Sequence, residues 1–207
     1  MGFEFEKIII PNGVKDFNLP DPGLLQFYQL SENRIFYLDF EIDMSILELQ
    51  RDIILINIAD KDIPIEERIP IKILIDSPGG LLSETMSVAC TMVQSKTPII
   101  TINIAEAYSG AAVLLLAGHK RYALPYSKAM IHTGSGATSG TFEQTEEQQK
   151  NYKKQVEDMG KFILERSGMD KKVFNRNKAK DWYFMPDEQV KYGLVHEITE
   201  NIYDIIL

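Results

Sequence analysis

The sequence predicts an α/β fold in which repeated β-α units build a largely parallel sheet. Short β-branched runs such as "IPIKILID" and "TPIITINIA" alternate with longer segments whose apolar residues recur at helical spacing. Twice, a strand-like run leads through a tight turn containing Ser or Gly into a helix-like run. The strand-like runs are apolar, as expected for parallel strands covered by helices.

The elements follow one another from residue 34 onward. Residues 1–30 contain three prolines and no sustained period, so we expect an irregular amino-terminal arm there and a single domain over residues 31–207. The predicted elements are a strand "RIFYLDFEI", a helix "SILELQRDIILINIA", a strand "IPIKILID", a helix "LLSETMSVACTMVQ", a strand "TPIITINIA", an apolar helix after Ser109, and two short strands flanking Pro125.

The carboxyl-terminal third begins with a long polar segment. From Thr141 the chain predicts a long helix whose first half is polar, which is typical of a helix that projects from a core. After it we expect a short helix at 170–177, a segment "DWYF", a helical turn from Pro186 to Gly193, and a strand "LVHEI". The final "NIYDIIL" fits an interface strand or a plain edge strand.

Charge and composition exclude several function classes. The chain has 22 Lys and Arg against 30 Asp and Glu, and this net charge of −8 repels phosphate backbones and anionic lipid headgroups. We therefore expect neither nucleic acid nor a membrane surface as a partner. Cys90 is the single cysteine, so it forms no intrachain disulfide, and we expect it in the core on an apolar helix face. An acidic amino terminus and the lack of a long apolar run predict a cytoplasmic protein.

Two predicted turns place helix amino termini directly after strands, at Gly79-Gly80 and at Ser109-Gly110. Helix amino termini expose unpaired N–H groups and a positive dipole end, which favour developing negative charge. Because parallel strands end at the same sheet edge, one N–H from each turn can form an oxyanion hole, with Ser109 as nucleophile. On these features alone, a plain turn and an N-capping serine remain the alternative.

A serine nucleophile needs a general base, and the chain offers three histidines. His119 follows a helix end, where bonding to helix carbonyls explains it, and His196 fits an edge strand. His132 ends the strand "AMIH" before the flexible "TGSGATSG", so it can reach a neighbouring turn. The acid that orients this base stays open among 30 carboxylates.

Four motifs in order, "IDSPGG", "AEAYSGA", "MIH" and "DWYFMPDEQVKYGLVHEI", resemble the caseinolytic (Clp) protease proteolytic subunit family of serine peptidases. The resemblance runs from about Arg34 to Ile198. It implies that Ser109 is the nucleophile, His132 the base and Asp181 the orienting acid. It also implies oxyanion N–H groups from Gly79 and Gly110 and no metal. Gly110 stands where the family usually has Met, which would loosen the turn.

The resemblance also implies a shape and an assembly. It implies a crotonase-like core with a protruding strand-helix handle at about residues 133–166. It implies heptameric rings that enclose the active sites and receive unfolded polypeptides from an ATP-dependent AAA+ unfoldase, so that the subunit itself uses no cofactor. Ala179 and Lys180 replace the acid-Arg pair that commonly links two rings, which leaves one ring or two open. Lys72 and Leu74 replace aromatic residues of the unfoldase docking pocket.

Two other functions fit parts of the pattern. A non-catalytic ring or scaffold subunit would keep the fold without needing Ser109, His132 and Asp181. A crotonase-type acyl-CoA enzyme would share the oxyanion hole of two N–H groups, but it uses acid and base carboxylates.

Overall fold

A computed structural model describes residues 22–136 and 138–206 of the chain. Contacts divide the chain into two compact units, Met1–Asn33 and Arg34–Leu207. The first unit contains α1 (Pro22–Glu32). The second unit contains β1 (Ile35–Leu38), α2 (Leu47–Ala59), β2 (Ile71–Ser77), α3 (Leu82–Gln94), β3 (Ile99–Tyr108), α4 (Gly110–Ala117), β4 (Lys120–Ala123), β5 (Lys128–Ile131), α5 (Phe142–Ser167), α6 (Lys171–Asn177), β6 (Trp182–Phe184), α7 (Pro186–Lys191), β7 (Glu197–Ile198) and α8 (Tyr203–Ile206).

The predicted parallel sheet and its β-α units are confirmed. Strands β1, β2, β3, β4 and β7 lie side by side in this order, and each neighbouring pair is parallel. The ten-residue strand β3 has two partners on one side, because Ile100–Asn103 pairs with β4 while Glu106–Tyr108 pairs with β5. Strand β6 adds antiparallel to β5. The last residues of β3 therefore lie between β2 on one side and β5 on the other, beyond the part of β3 that pairs with β4.

The core explains why the strands are apolar. Ile71, Ile73 and Ile75 of β2 point to one face and are almost completely buried. Helix α4 is the most enclosed helix, since all eight of its residues are buried. Burying a leucine side chain is worth about 2 kcal/mol. Three consecutive leucines, Leu114 to Leu116, thus hold α4 firmly against the sheet.

Helix α5 matches the predicted long polar helix. Thr141 caps its amino terminus by accepting the Gln144 N–H, and Gly168 ends it in the left-handed conformation at φ 68°. Its first half is largely exposed, whereas Met159 and Ile163 in the second half are buried, where α5 contacts α4. The expected strand of the handle is not found: residues 133–136 and 138–141 form no strand.

Three further predictions need correction. The arm predicted to be irregular over residues 1–30 is helical from Pro22, and residues 1–21 lie outside the described part. Cys90 is exposed, because the buried stripe of α3 runs through Val88, Ala89 and Met92 instead. The carboxyl-terminal segment forms the short helix α8 and no strand. None of the helices within residues 22–136 and 138–206 has the length and apolarity needed to cross a bilayer.

A buried ion pair fixes the start of β1 to the end of α2. Arg34 donates two hydrogen bonds to the Asp60 carboxylate, at 2.6 Å and 2.7 Å, and Thr97 donates a third at 2.9 Å. Asp60 is only 1% exposed. The hydrogen bonds from Arg34 are the main reason that the pKa of Asp60 lies below its ordinary value of 3.8. Folding therefore favours the charged carboxylate.

We expect Asp60→Ala to lower the free energy of unfolding at pH 7 by about 3 kcal/mol, because it leaves the Arg34 guanidinium without its partner. Since the folded state lowers the pKa of Asp60, this contribution is present above pH 3.8 and is lost as the pH falls below it. Urea unfolding of the wild-type protein and of Asp60→Ala should thus show a difference in the free energy of unfolding that becomes smaller in acid. Asp62→Ala, which removes an exposed carboxylate near Lys61, should change little at any pH. A gap that stays constant down to pH 3 would contradict this role for Asp60.

Candidate active site

Three strand ends bring Ser109, His132 and Asp181 together. Ser109 follows Tyr108, the last residue of β3, and Tyr108 pairs with Met130 of β5. His132 follows the last residue of β5, and Asp181 precedes the first residue of β6. Because β5 and β6 are antiparallel and Ile131 pairs with Trp182, the residues just beyond this pair lie next to each other. The strand register alone thus places the three side chains at one edge.

Local contacts hold the backbone at this edge. The Ser109 N–H donates to the Met130 carbonyl at 2.8 Å, and the Thr133 N–H donates to the Lys178 carbonyl at 2.9 Å. The second bond ties the segment after His132 to the loop before Asp181. On the other side of β6, the rings of Trp182, Phe184 and Tyr192 form a cluster with centroid distances of 4.4 Å to 5.6 Å. This cluster fixes β6, the strand that directly follows Asp181.

The side chains form one hydrogen-bonded series. Ser109 Oγ lies 2.8 Å from His132 Nε2, and His132 Nδ1 lies 3.1 Å from Asp181 Oδ1. In the tautomer that satisfies both contacts, Nδ1–H donates to Asp181 and Nε2 accepts from the serine hydroxyl. The side chain of Asp181 is 57% exposed, so water screens its attraction for the imidazole. The arrangement can remove a proton from Ser109 and stabilise the resulting imidazolium.

Ser109 itself adopts a strained backbone conformation. Its φ is 53° and its ψ is −118°, which is unusual for a residue with a Cβ and costs about 1 to 3 kcal/mol. Ser109 occupies the N-cap position of α4, but its side chain caps no N–H of the helix, so side-chain capping does not account for this serine. The strain instead turns Oγ away from the helix and toward His132. The buried helix α4 and the bond to Met130 offset the cost.

The predicted oxyanion donors lie beside this serine. The Gly110 N–H opens α4, where the first N–H groups have no acceptor within the helix. Gly79 is buried, but its N–H already donates to Ser77 Oγ at 3.2 Å. The neighbouring Gly80 lies in the same cavity, and among residues 22–136 and 138–206 no acceptor pairs with its N–H. Gly80 is thus a second candidate donor beside Gly79, and the doubled glycine in "SPGG" was the sequence signal for it.

Glycine is required at position 79. Its φ of 89° lies in the left-handed region, and an added Cβ would lie 2.4 Å from the Tyr108 carbonyl oxygen and 2.7 Å from the Gly110 nitrogen. The two turns approach so closely that no side chain fits between them. This contact confirms that the turns after β2 and β3 lie side by side.

Glycine at position 110 has a different cause. Gly110 is fully buried, and an added Cβ would lie 2.6 Å from Thr85 Oγ1. Thr85 is itself buried and donates to the Leu81 carbonyl at 2.8 Å. Thr85 thus occupies the space into which a larger side chain at position 110 would extend.

The other two histidines lie outside the site. His119 Nδ1 accepts the Ile99 N–H at 2.9 Å, and His196 Nδ1 accepts the Arg121 N–H at 3.0 Å. Burial lowers the pKa of both imidazoles. Both imidazoles therefore accept backbone N–H groups at the opposite end of the strands, and neither lines the cavity at Ser109.

One residue at the site was not singled out by the sequence. Tyr108 donates to Glu106 Oε1 at 3.0 Å, and its ring contacts that of Tyr183 at 5.7 Å. Burial, followed by this hydrogen bond, raises the pKa of Tyr108 to about 12, so the phenol stays protonated. Tyr108 thereby links the strand that ends at Ser109 to the strand that follows Asp181. Across residues 22–136 and 138–206, no group of three His, Cys, Asp or Glu residues could hold a metal ion.

Comparison with known families agrees with this geometry. A family model described as Clp protease matches residues 25–202, which is most of the chain. The chain belongs to the Clp protease family, as the resemblance of its motifs predicted.

We expect Gly79→Ala to reduce the rate at which a fluorophosphonate labels Ser109 by at least about ten-fold, because the new Cβ would push the Tyr108 carbonyl and the Gly110 nitrogen apart. Labelling is followed by mass spectrometry, and stability by thermal unfolding. Gly168→Ala is the matched control: its φ of 68° carries a similar backbone cost of about 1 kcal/mol, but no atom lies within 4 Å of the added Cβ. Equal labelling rates in the two variants would show that the close approach at Gly79 does not matter.

We also expect Gly110→Ala and Thr85→Ala to compensate each other. Each single substitution should lower the free energy of unfolding. The double variant should lose about 1 kcal/mol less than the two single losses added together, because removing the threonine makes room for the new Cβ. Urea unfolding of the four proteins measures this coupling. Strict additivity would show that Thr85 does not determine the choice of glycine.

Proposed function

From its membership of the Clp protease family and the bonded series at its sheet edge, we propose that the chain is a serine endopeptidase that hydrolyses peptide bonds of unfolded proteins. The observation that carries this proposal is the 2.8 Å contact between Ser109 Oγ and His132 Nε2. A hydroxyl held against an imidazole that is itself held by a carboxylate is the arrangement that activates a serine. A Ser-His-Asp hydrolase needs no metal and no organic cofactor.

In the proposed reaction, Ser109 Oγ attacks the carbonyl carbon of the scissile peptide bond. His132 Nε2 takes the hydroxyl proton, and Asp181 accepts the hydrogen bond from Nδ1–H and stabilises the imidazolium. The imidazolium then gives its proton to the leaving amine, which departs and leaves an acyl-enzyme on Ser109. A water molecule, deprotonated by His132, hydrolyses the ester and restores the hydroxyl.

The oxyanion of the tetrahedral intermediate would be bound by the turns after β2 and β3. We propose donors from Gly110 and Gly79, as the family resemblance implies. The hydrogen bond from Gly79 to Ser77 Oγ must then yield to the substrate, or the neighbouring Gly80 N–H takes its place. Losing one such donor typically costs about 3 kcal/mol in activation free energy.

We further propose that the protein acts as a heptameric ring that encloses the site. The exposed first half of α5 offers a surface for neighbouring subunits or for substrate at the mouth of such a chamber. Ala179 and Lys180 leave one ring and two stacked rings as alternatives. Light scattering of the purified protein distinguishes a monomer, one ring and two rings.

Delivery of substrate by an ATP-dependent AAA+ unfoldase in the cytoplasm belongs to the same proposal. ATP would be used by that partner and not by this chain. The face of β2 that could receive the unfoldase differs from the family pattern, because Lys72 and Leu74 stand there in place of aromatic residues. Both are buried, and Lys72 donates to the Ile206 carbonyl in α8. A partner that docks at this face must accommodate α8.

The alternative functions do not require the contacts observed. A scaffold subunit or a crotonase-type acyl-CoA enzyme needs no bond between Ser109 and His132 and no carboxylate on Nδ1. Resistance to fluorophosphonate would favour the scaffold, and a thermal shift with an acyl-CoA would favour the acyl-CoA enzyme.

We expect wild-type protein to be labelled by a fluorophosphonate at Ser109, and Ser109→Ala to fold, assemble to the same size and remain unlabelled and inactive toward unfolded protein. Mass spectrometry and light scattering of both proteins test this. Ser135→Ala is a matched control, since Ser135 lines the same cavity and, in the part of the chain that the structure describes, makes no hydrogen bond to a histidine. It should keep the label. Full peptide hydrolysis by Ser109→Ala would contradict the assignment of Ser109 as the nucleophile.

A further inference from the structure

The cavity in front of Ser109 has two walls of different chemistry. It encloses about 660 Å³. One wall comes from the turn after β2 and the start of α3, and includes Gly80 and Leu82. The other wall comes from the loop after His132 and from α5, where Tyr152 and Met159 face the cavity. A chain that reaches Ser109 must pass between these walls.

The cavity is lined by two carboxylates, those of Glu41 and Glu84, and, among the described residues, by no lysine or arginine. Neither carboxylate makes a hydrogen bond or an ion pair within residues 22–136 and 138–206. The acids of this cavity are thus free to interact with a ligand. The same cavity contains the Ser109–His132 contact, at which we propose that a polypeptide is cleaved.

The backbone next to both glutamates is bonded to the wall that contains the glycine turn. Glu41 directly precedes Ile42, whose N–H donates to the Gly79 carbonyl at 2.7 Å and whose carbonyl accepts the Leu81 N–H at 2.8 Å. Glu84 directly precedes Thr85, which bonds to the Leu81 carbonyl and limits the space at position 110. Each acid is therefore one residue away from a residue that shapes the proposed oxyanion hole.

Nearby lysines face elsewhere. Lys150 and Lys154 of α5 line a separate surface depression, and Lys150 is paired with Glu146 at 3.0 Å. Lys178, in the loop before Asp181, lies over the ring of Phe174 at 5.8 Å from its centroid. No lysine or arginine among the described residues lines the cavity, so the two carboxylates have no basic neighbour along its walls other than His132.

From this asymmetry we infer that the cavity selects polypeptide segments with basic side chains, which Glu41 and Glu84 bind, and disfavours acidic segments. The inference rests on the proposed peptidase function and names its substrate class. Carboxylates in a partly enclosed site attract a Lys or Arg side chain more strongly than the same groups in open water. Glu84 also lies in the first turn of α3, where it stabilises the helix dipole, but that role does not depend on the substrate.

The test measures binding without turnover. Ser109→Ala protein is titrated into three fluorescein-labelled nonapeptides that differ only in three central residues, which are lysine, norleucine or glutamate, and anisotropy gives each affinity. We expect the lysine peptide to bind about three- to ten-fold more tightly than the norleucine peptide, and the glutamate peptide most weakly. The ratio of the affinity for the lysine peptide to that for the norleucine peptide should decrease at high salt. Adding Glu41→Gln and Glu84→Gln should bring the lysine-to-norleucine ratio close to one.

The control is Glu67→Gln, which removes one exposed carboxylate outside the cavity and should keep the ratio. Equal affinity for the lysine and norleucine peptides, no binding of any peptide, or a ratio that survives both cavity substitutions would overturn the inference. A purely structural role of Glu84 would weaken all peptides equally and leave the ratio unchanged.

A second measurement separates this inference from the proposed function. Wild-type protein is incubated with an unfolded protein, and the cleavage sites are mapped by mass spectrometry alongside fluorophosphonate labelling. Labelling and cleavage without enrichment of Lys and Arg near the cleaved bonds would leave the peptidase proposal standing and overturn the charge preference. A lysine preference in binding, with neither label nor cleavage, would overturn the peptidase proposal and keep the preference.

Discussion

The hydrogen bond from the Ser109 N–H to the Met130 carbonyl is the contact on which the site depends. It joins the end of β3 to β5 at the point where β3 has already separated from β4. Because β5 also carries His132 and pairs with the strand that follows Asp181, this one junction sets the positions of all three side chains. A shift of β5 by one residue would turn its side chains to the other face and separate His132 from Ser109.

The strain at Ser109 follows from the same junction. A serine at φ 53° is tolerated because α4 is buried on all sides and because the strand pairing before it fixes the backbone. The conformation points Oγ away from the helix, where it would otherwise cap an N–H, and toward the imidazole. Gly79 approaches so closely that the two turns act as one surface. Stability of the core is thus used to hold a local geometry that the chain would not adopt by itself.

Three sets of charged residues in the described structure have different surroundings. Asp60 and Arg34 form a buried pair far along the sheet, which fixes the edge strand and does not face the cavity. Asp181 is half exposed, and its carboxylate lies 3.1 Å from His132 Nδ1. Glu41 and Glu84 have no partner among the described residues, and this leaves them free to act on whatever enters the cavity. A carboxylate that is already bonded stabilises the fold, whereas one that is not can discriminate between ligands.

The sequence by itself determined most of the order of strands and helices between residues 34 and 198, the parallel sheet and the family, because apolar periodicity and local motifs are properties of short segments. It also singled out His132, since only a histidine at a strand end could reach another turn. The choice of Asp181 needed the family resemblance, because the residue lies 49 positions from His132 and only the β5–β6 register brings them together. Tertiary structure alone decided that Cys90 is exposed, that residues 203–206 form a helix, and that Thr85 leaves no room for a Cβ at position 110. These features depend on which face of a segment meets a distant neighbour, and spacing along the chain does not contain that information.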